Sequence, residues 1–571
     1  MANLFNSIRV RPPKLNRFNL SHDVKLTAKF GKITPILCQD CLPGDVFKLN
    51  TELICRFAPM VAPIMTEVNV YTHFYFVPKR LLWDNFKSFI TGGEDGEEAP
   101  LYPRLRLING TPNDPERYGN LFHPGSLADY LNFPVLPDIN WIHPDNQIDL
   151  DALPFRAYQL IWNEYYRDQN LMDEVDIMKD VDGITVVSTS SKASLGLMQM
   201  RNRSWKKDYF TSALPWAQRG DEVELPLQGT ADIMYNEDSS SPYLEGGQIN
   251  SITGYSGQFP SAGGSLAAGG TKGIEMALGG GQWQPVNLGD GARDTPNGMY
   301  VNFSSQDLRD RIKGVDLSTA SSATINELRR AIKAQEFLEL AARGGSRYIE
   351  QIYAYFGVRS SDARLQRPEF LGGGKSRVAI TDVLQTSQTT ETSAQATPSG
   401  HAISAQRSHS FKFRCEEHGY IIGVMSIMPK AAYMQGLPRM YQKFDRLDHY
   451  WPQFAHLGEQ EIKTNELYCN PSLPSAQDKG DTTFGYTPRY AEYKYMMDSI
   501  HGDFRDSLSF WHMGRIFANA PALNEAFLTN VEDAANRVFN VVDENVDKVW
   551  INVHHNLKAL RKMPKYGTPL F

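Results

Sequence analysis

Apolar and polar positions alternate along several widely separated stretches of the chain. Glu67 to Val77 reads EVNVYTHFYFV, with Val68, Val70, Phe74 and Phe76 on one face and Asn69, Tyr71, His73 and Tyr75 on the other. Period two in β-branched and aromatic residues predicts a half-buried strand. Phe411, Phe413 and Cys415 alternate with Lys412 and Arg414 in the same way. YIIGVMSIM, after Gly419, has no polar face and predicts a strand covered on both sides. Pro78 and Pro429 mark the ends of two of these strands, because proline cannot donate to a ladder. At 571 residues the chain has room for about four ordinary domains. Strands spread from one end to the other favour instead one β-framework with large insertions.

The insertions carry helical patterns. PFRAYQLIWNEYYRDQN opens on Pro154 and places Phe155, Tyr158, Trp162 and Tyr165 at three- and four-residue intervals. Thr324-x-x-Glu327 is a capping-box signature for a helix that stops at Gly344-Gly345. Residues 246–300 hold 15 glycines and five charged side chains, and they lie between the strand-like VELPLQ and MYVNF. Glycine adds backbone entropy and no packing surface, so this stretch predicts a surface excursion that carries recognition.

Composition excludes global disorder, with 41% hydrophobic and 22% charged residues. Charge is uneven. Residues 1–32 carry a net +6 and residues 551–571 a net +4, so the rest of a chain of net charge −7 stands at −17. Two basic terminal arms on an acidic body predict local contact with a polyanion. The amino-terminal stretch lacks an apolar segment suited to secretion. The longest apolar run, Tyr420 to Met428, is far short of the ~18 to 20 residues of a membrane span. Five cysteines suit a reducing compartment better than a disulfide framework.

Catalytic and cofactor motifs fail on inspection. Gly372-Gly373-Gly374-Lys375-Ser376 imitates a phosphate-binding loop, but Glu369 occupies the required glycine position, and a glycine-rich turn is the better reading. Cys38-x-x-Cys41 has no second pair at metal spacing, and His554-His555, read as tail polarity, has no third ligand. Neither an enzyme nor a cofactor or metal site is predicted.

Several blocks resemble one family. FNLSHDVKLT, LPGDVF, PFRAYQLIWNEYYRDQNL, RPEFLGGGKS, HGYIIGVMSIMPKAAYMQGLPR, LGEQEI, PRYAEYKY and HGDFR run in order from about residue 18 to 505. They are similar to the major capsid protein of the Microviridae, small circular single-stranded DNA phages, and the glycine-rich excursion resembles the gokushovirus branch. Asn19 stands where the family's first block has Asp, and Cys41 where a valine-like residue is common. Residues 200–310 match no block.

The resemblance implies a mainly β chain, an eight-stranded antiparallel jelly-roll sandwich with large helix- and loop-containing insertions spanning 1–571. It implies a homo-oligomer of 60 copies in a T=1 icosahedral virion shell around the packaged single-stranded DNA, assembled in the host bacterial cytoplasm. Implied partners are a small basic DNA-packaging protein, internal scaffolding and pilot proteins, and a host-cell surface receptor met by the 222–300 loop, without membrane insertion. Tyr255, Phe259 and Trp283 are the expected recognition residues. Trp162, Tyr433, Tyr441, Phe444, Tyr450, Trp451 and Phe454 are expected at subunit interfaces or in the core beneath them. Arg9, Arg11, Lys14 and Arg17, with Lys558, Arg561, Lys562 and Lys565, are expected to face DNA. A jelly-roll carbohydrate-active or carbohydrate-binding protein is the alternative of a different class; it requires an export signal and a carboxylate pair in a cleft.

Overall fold

The computed structural model describes residues 14–93, 97–107, 124–134, 148–187, 192–220, 361–363, 365–384, 398–469, 482–541, 543 and 546–566. Between 221 and 360 it describes only 232–235, 274–278, 282–286, 294–295, 298–299, 312–316, 325–344 and 354. The chain divides into two compact units, one of Met1–Glu222 with Gln335–Phe571, the other of Val223–Ala334.

The first unit is built on two antiparallel sheets. Their strands are β1 (Asn16–Asn19), β2 (His22–Ala28), β3 (Thr34–Cys41), β4 (Val46–Phe57), β5 (Val68–Pro78), β6 (Glu369–Arg377), β7 (Ala379–Leu384), β8 (Pro398–Arg414), β9 (Gly419–Pro429) and β10 (Val549–Arg561). One sheet has the order β1-β10-β4-β8-β7, with β2 also paired to β10, and the other has the order β6-β5-β9-β3. Period two explains the packing. Phe47, Leu49, Leu53, Cys55 and Phe57 of β4 and Val549, Ile551, Val553, Leu557 and Ala559 of β10 point inward and are buried. They meet Val70, Phe74 and Phe76 of β5 and Ile421, Met425 and Ile427 of β9 in one core between the sheets. Phe74 and Phe411 lie 5.5 Å apart across that core, and Phe76 and Phe413 lie 4.9 Å apart. Burying each such ring contributes about 1.5–3 kcal/mol.

A second core covers the opposite face of the four-stranded sheet. Helix α1 (Leu153–Tyr165), with Pro154 in its first turn, lays Phe155, Tyr158, Ile161 and Trp162 near Tyr75, Val77, Tyr420, Ile422 and Val424. β9 is therefore buried throughout, as its unbroken apolar run predicts. β5 is not half-buried, as its alternation suggested; its polar face is covered too. The reason is that its polar groups find partners inside: His73 Nδ1 lies 2.6 Å from the Tyr166 hydroxyl, and the Tyr75 hydroxyl donates to the same oxygen at 3.2 Å. Burial pushes the His73 imidazole down to about 4.

Two further readings are corrected. The glycine-rich stretch at 372–374 is not a turn; it lies within β6, on the edge of the four-stranded sheet, with a register shift between Phe370 and Gly372. A Cβ on Gly373 would stand 2.4 Å from His73 Cδ2 and 2.7 Å from the Thr72 carbonyl oxygen, so only glycine permits that approach. Residues 551–561 are not a tail either. They form most of β10, hydrogen-bonded between β2 and β4 in mid-sheet. His555 is fully buried, its Nδ1 3.0 Å from Thr51 Oγ1 and its Nε2 2.9 Å from the Ile36 carbonyl oxygen on the facing sheet. Cys38 and Cys41, three apart on β3, fall on opposite faces, one exposed and one buried.

In the second unit, Asp232–Tyr235 pairs with Ile312–Asp316, Ile274–Leu278 with Gln282–Val286, and Asp294–Thr295 with Gly298–Met299. Helix α2 (Ile325–Gly344), whose residues from Gln335 onward belong to the first unit, ends at the expected glycine. Its expected cap Thr324, VELPLQ and most of the glycine-rich stretch lie outside the described residues. No helix among the described residues is long and apolar enough to cross a membrane. No group of three or more His, Cys, Asp or Glu among them is placed to hold a metal.

Candidate assembly interface

The segment after β9 cannot continue a strand, because prolines recur at 438 and 452 and it breaks into three 3-10 turns, Arg439–Tyr441, Arg446–Asp448 and Pro452–Phe454. These turns are held by capping contacts. Asp448 accepts the backbone N–H groups of Asp445 at 2.9 Å and Phe444 at 3.1 Å, which hold its carboxyl below the usual range. The Trp451 indole N–H donates to the Arg446 carbonyl at 2.9 Å.

Two ion pairs fasten the segment to the body. Arg439 Nη1 reaches Glu466 Oε1 at 3.1 Å, and Glu466 also accepts from the Tyr209 hydroxyl at 2.9 Å and the Lys463 N–H at 3.0 Å. Burial pushes the Glu466 carboxyl up. Lys443 pairs with Glu492 at 3.0 Å, both side chains almost fully enclosed, and its ammonium sits 3.7 Å from the Tyr493 ring centroid. Burial works against the charge on Glu492, but hydrogen bonds from Gln460 and Lys443 prevail and hold it below its usual range. At the entry, a Cβ on Gly436 would stand 1.8 Å from the Glu466 carbonyl oxygen, so glycine alone allows the backbone to pass there.

A segment fixed this firmly nevertheless presents apolar side chains to solvent. Phe444 is 90% exposed, Tyr441 61% and Met440 57%, with Leu447, Tyr450, Trp451 and Leu457 also exposed. Tyr450 and Tyr493 have ring centroids 6.3 Å apart, which joins this surface to Tyr493, Tyr495 and Met496. Aromatic and methionine side chains held rigid at a surface are the composition of protein–protein interface cores.

The predicted interface residues therefore divide. Tyr441, Phe444, Tyr450 and Trp451 lie on the platform and Phe454 is half-buried at its rim. Trp162 and Tyr433 are in this chain's own core, the former donating to the Asn202 carbonyl at 3.1 Å, the latter to Asp208 Oδ2 at 2.9 Å. Met440 and Leu447 are exposed within the same stretch, and Tyr493, Tyr495 and Met496 extend the exposed surface from outside it, where PRYAEYKYMM carries a dense run of aromatic residues and methionines that drew no expectation.

The predicted DNA-facing residues divide as well. Arg9 and Arg11 lie outside the described residues. Lys14, Arg17, Lys562 and Lys565 are exposed, and Lys558 is partly exposed. Arg561 is corrected: strand alternation turns it away from Lys558, and its Nε lies 3.1 Å from the buried carboxylate of Asp45. Of the expected recognition residues, Tyr255 and Phe259 lie outside the described residues, and Trp283 stands opposite Ala277 in the Gln282–Val286 hairpin arm.

Comparison with known proteins agrees with these features. The model of the capsid protein (F protein) family matches residues 10–571. The chain is 34% identical to capsid protein VP1 of Chlamydia phage 1, covering 100% of this chain and 98% of that one. It is 32% identical to capsid protein VP1 of Bdellovibrio phage phiMH2K, covering 97% and 95%, and 27% identical to capsid protein VP1 of Spiroplasma virus 4, over the same shares. A match over almost the whole length, including both sheets and the exposed platform, places this chain in the capsid protein (F protein) family of the Microviridae.

Proposed function

We propose that the two sheets are the halves of an eight-stranded jelly roll and that the chain closes with its own copies into a T=1 shell of 60 subunits around a single-stranded DNA genome. Strand pairing supports the fold. If β1 with β2 counts as one strand and β7 with β8 as another, the first strand pairs with the eighth, the second with the seventh, the third with the sixth and the fourth with the fifth. That is the pairing of one long hairpin rolled up on itself. The observation that carries the assembly reading is the platform around Phe444: a large apolar surface locked by buried ion pairs has no purpose on a solitary subunit. The family is structural, not enzymatic, which removes the carbohydrate-active alternative. Imaging of the purified protein by negative stain should give uniform small shells; a preparation that stays monomeric at every concentration would refute the reading.

Residues 222–300, with Tyr255, Phe259 and Trp283, are proposed to meet the host-cell surface receptor. Deleting 236–311 should leave shells that assemble but adsorb poorly to host cells, and normal adsorption by such shells would eliminate that role. Assembly in the host bacterial cytoplasm, with internal scaffolding and pilot proteins, belongs to the same proposal. The acidic body of the chain leaves much of the genome's neutralisation to a small basic DNA-packaging protein.

A further inference from the structure

Register places three lysines side by side on the outer face of the six-stranded sheet. Lys558 of β10 is directly opposite Lys48 of β4, and Lys48 is directly opposite Lys412 of β8. Strands in a sheet are about 4.8 Å apart, so the three Cα atoms span about 10 Å. One step along the strands, the same face carries Arg17 of β1, opposite Leu560, and Arg414 of β8, opposite Val46. Lys48, Lys412, Arg414 and Arg17 are exposed and Lys558 is partly so. Among the described residues none of these five cations is held in an ion pair. Two carboxylates close to this region in sequence are already engaged: Asp45 on the other face by Arg561 at 3.1 Å, and Asp40 by Lys79 at 2.9 Å.

Like charges directly opposite across neighbouring strands destabilise a sheet. The far end of the same face has no such row. There Asp23 meets His554 at 2.5 Å, and Glu52 lies opposite His554 in register. The uncompensated row is therefore local, and it calls for an anion supplied from outside.

We propose that this row binds the phosphate backbone of single-stranded nucleic acid, a strand lying across β10, β4 and β8. The proposal rests on the shell reading and deepens it, moving phosphate contact from the terminal arms to the sheet. Three points favour a nucleic-acid strand over an acidic protein segment. The cations repeat at strand spacing, as phosphates repeat along a chain. Neutral hydrogen-bonding side chains, Asn19, Asn50, Asn556 and Ser410, interleave with them on the same face. Leu560, 38% exposed, offers an apolar contact that suits bases without choosing among them.

The test is the triple variant Lys48→Gln/Lys412→Gln/Lys558→Gln, measured beside the triple Lys→Arg variant and wild type. Oligo(dT) binding to the free subunit is followed by fluorescence anisotropy over a range of salt, and shell formation is imaged in parallel. The Gln variant should still form shells, should melt at a higher temperature than wild type when free of DNA, and should lose about 2 from the slope of log K against log[salt], that is ~0.7 for each of three phosphates. The Arg variant should keep the wild-type slope. An unchanged slope in the Gln variant overturns the proposal, as does tighter binding of poly-glutamate than of oligo(dT) by wild type. Shells lost in the Gln variant and restored in the Arg variant would assign the row to subunit contact and overturn it too. If wild type itself forms no shells, the assembly reading fails while the slope still reports on phosphate binding.

Discussion

Phe444→Asp should abolish shell formation and leave the free subunit as stable as wild type, within about 0.5 kcal/mol. The ring is 90% exposed in the subunit, so removing it costs the fold almost nothing. In an assembled contact the same ring would be desolvated at the centre of the platform, where truncating an aromatic anchor typically costs about 2 kcal/mol or more. That is roughly a thirtyfold loss for each contact, and a closed shell repeats the contact at every copy. An introduced carboxylate adds the cost of burying an unpaired charge. Sedimentation velocity should give a single subunit-sized species, and its thermal melt should overlay that of wild type. Tyr433→Asp provides the contrast: Tyr433 is buried and bonded to Asp208, so this change should unfold the subunit rather than merely keep it single. Normal shells from Phe444→Asp would remove the platform from the assembly.

The contrast between Phe444 and Tyr433 also marks the boundary of what sequence can reveal. Both belong to one aromatic-rich stretch, and nothing local distinguishes the ring that packs inward from the ring that waits for a partner. Alternation was legible in β8 and an unbroken apolar run in β9 because a strand's two faces must differ, or must both be apolar, according to what covers them. It was legible in INVHHNLKALR too, where Ile551, Val553, His555, Leu557 and Ala559 share a face, but counting charges over the last residues of the chain obscured a central strand. β5 misled for a different reason: tyrosine and histidine read as polar in a pattern, yet they bury well once their few polar atoms find partners. The lysine row lay beyond reach of any local pattern. Lys48, Lys412 and Lys558 lie 364 and 146 residues apart along the chain, and only the register of three strands makes them neighbours.

Mild acid should loosen the sandwich, and His555 should account for a separable share of the effect. Its environment fixes the neutral form: the Ile36 carbonyl can only accept, so Nε2 carries the proton, and Nδ1 is left to accept from the Thr51 hydroxyl. Burial pushes the imidazole down from 6.5 to about 4, and His73, half-buried against Tyr166, is also pushed down to about 4. Between these values the unfolded chain binds a proton at each position and the native chain does not. Stability therefore rises with pH across that window and is lost as pH falls from about 6.5 to about 4, by about 3 kcal/mol for each histidine. Asp45, Glu369 and Glu466, whose carboxyls burial pushes up, act in the opposite sense, so the total slope mixes several groups. The difference between wild type and His555→Asn isolates one of them. At neutral pH the variant should be less stable by about 1–3 kcal/mol, because the Ile36 carbonyl loses its donor in the core. In denaturant unfolding of the free subunit from pH 7 to pH 4, its stability should fall less steeply than that of wild type, by about 1.4 kcal/mol per pH unit at mid-window. Parallel curves would mean that His555 binds the same number of protons folded and unfolded, and that loss of the Thr51 hydroxyl's acceptor at Nδ1 is not what acid exploits.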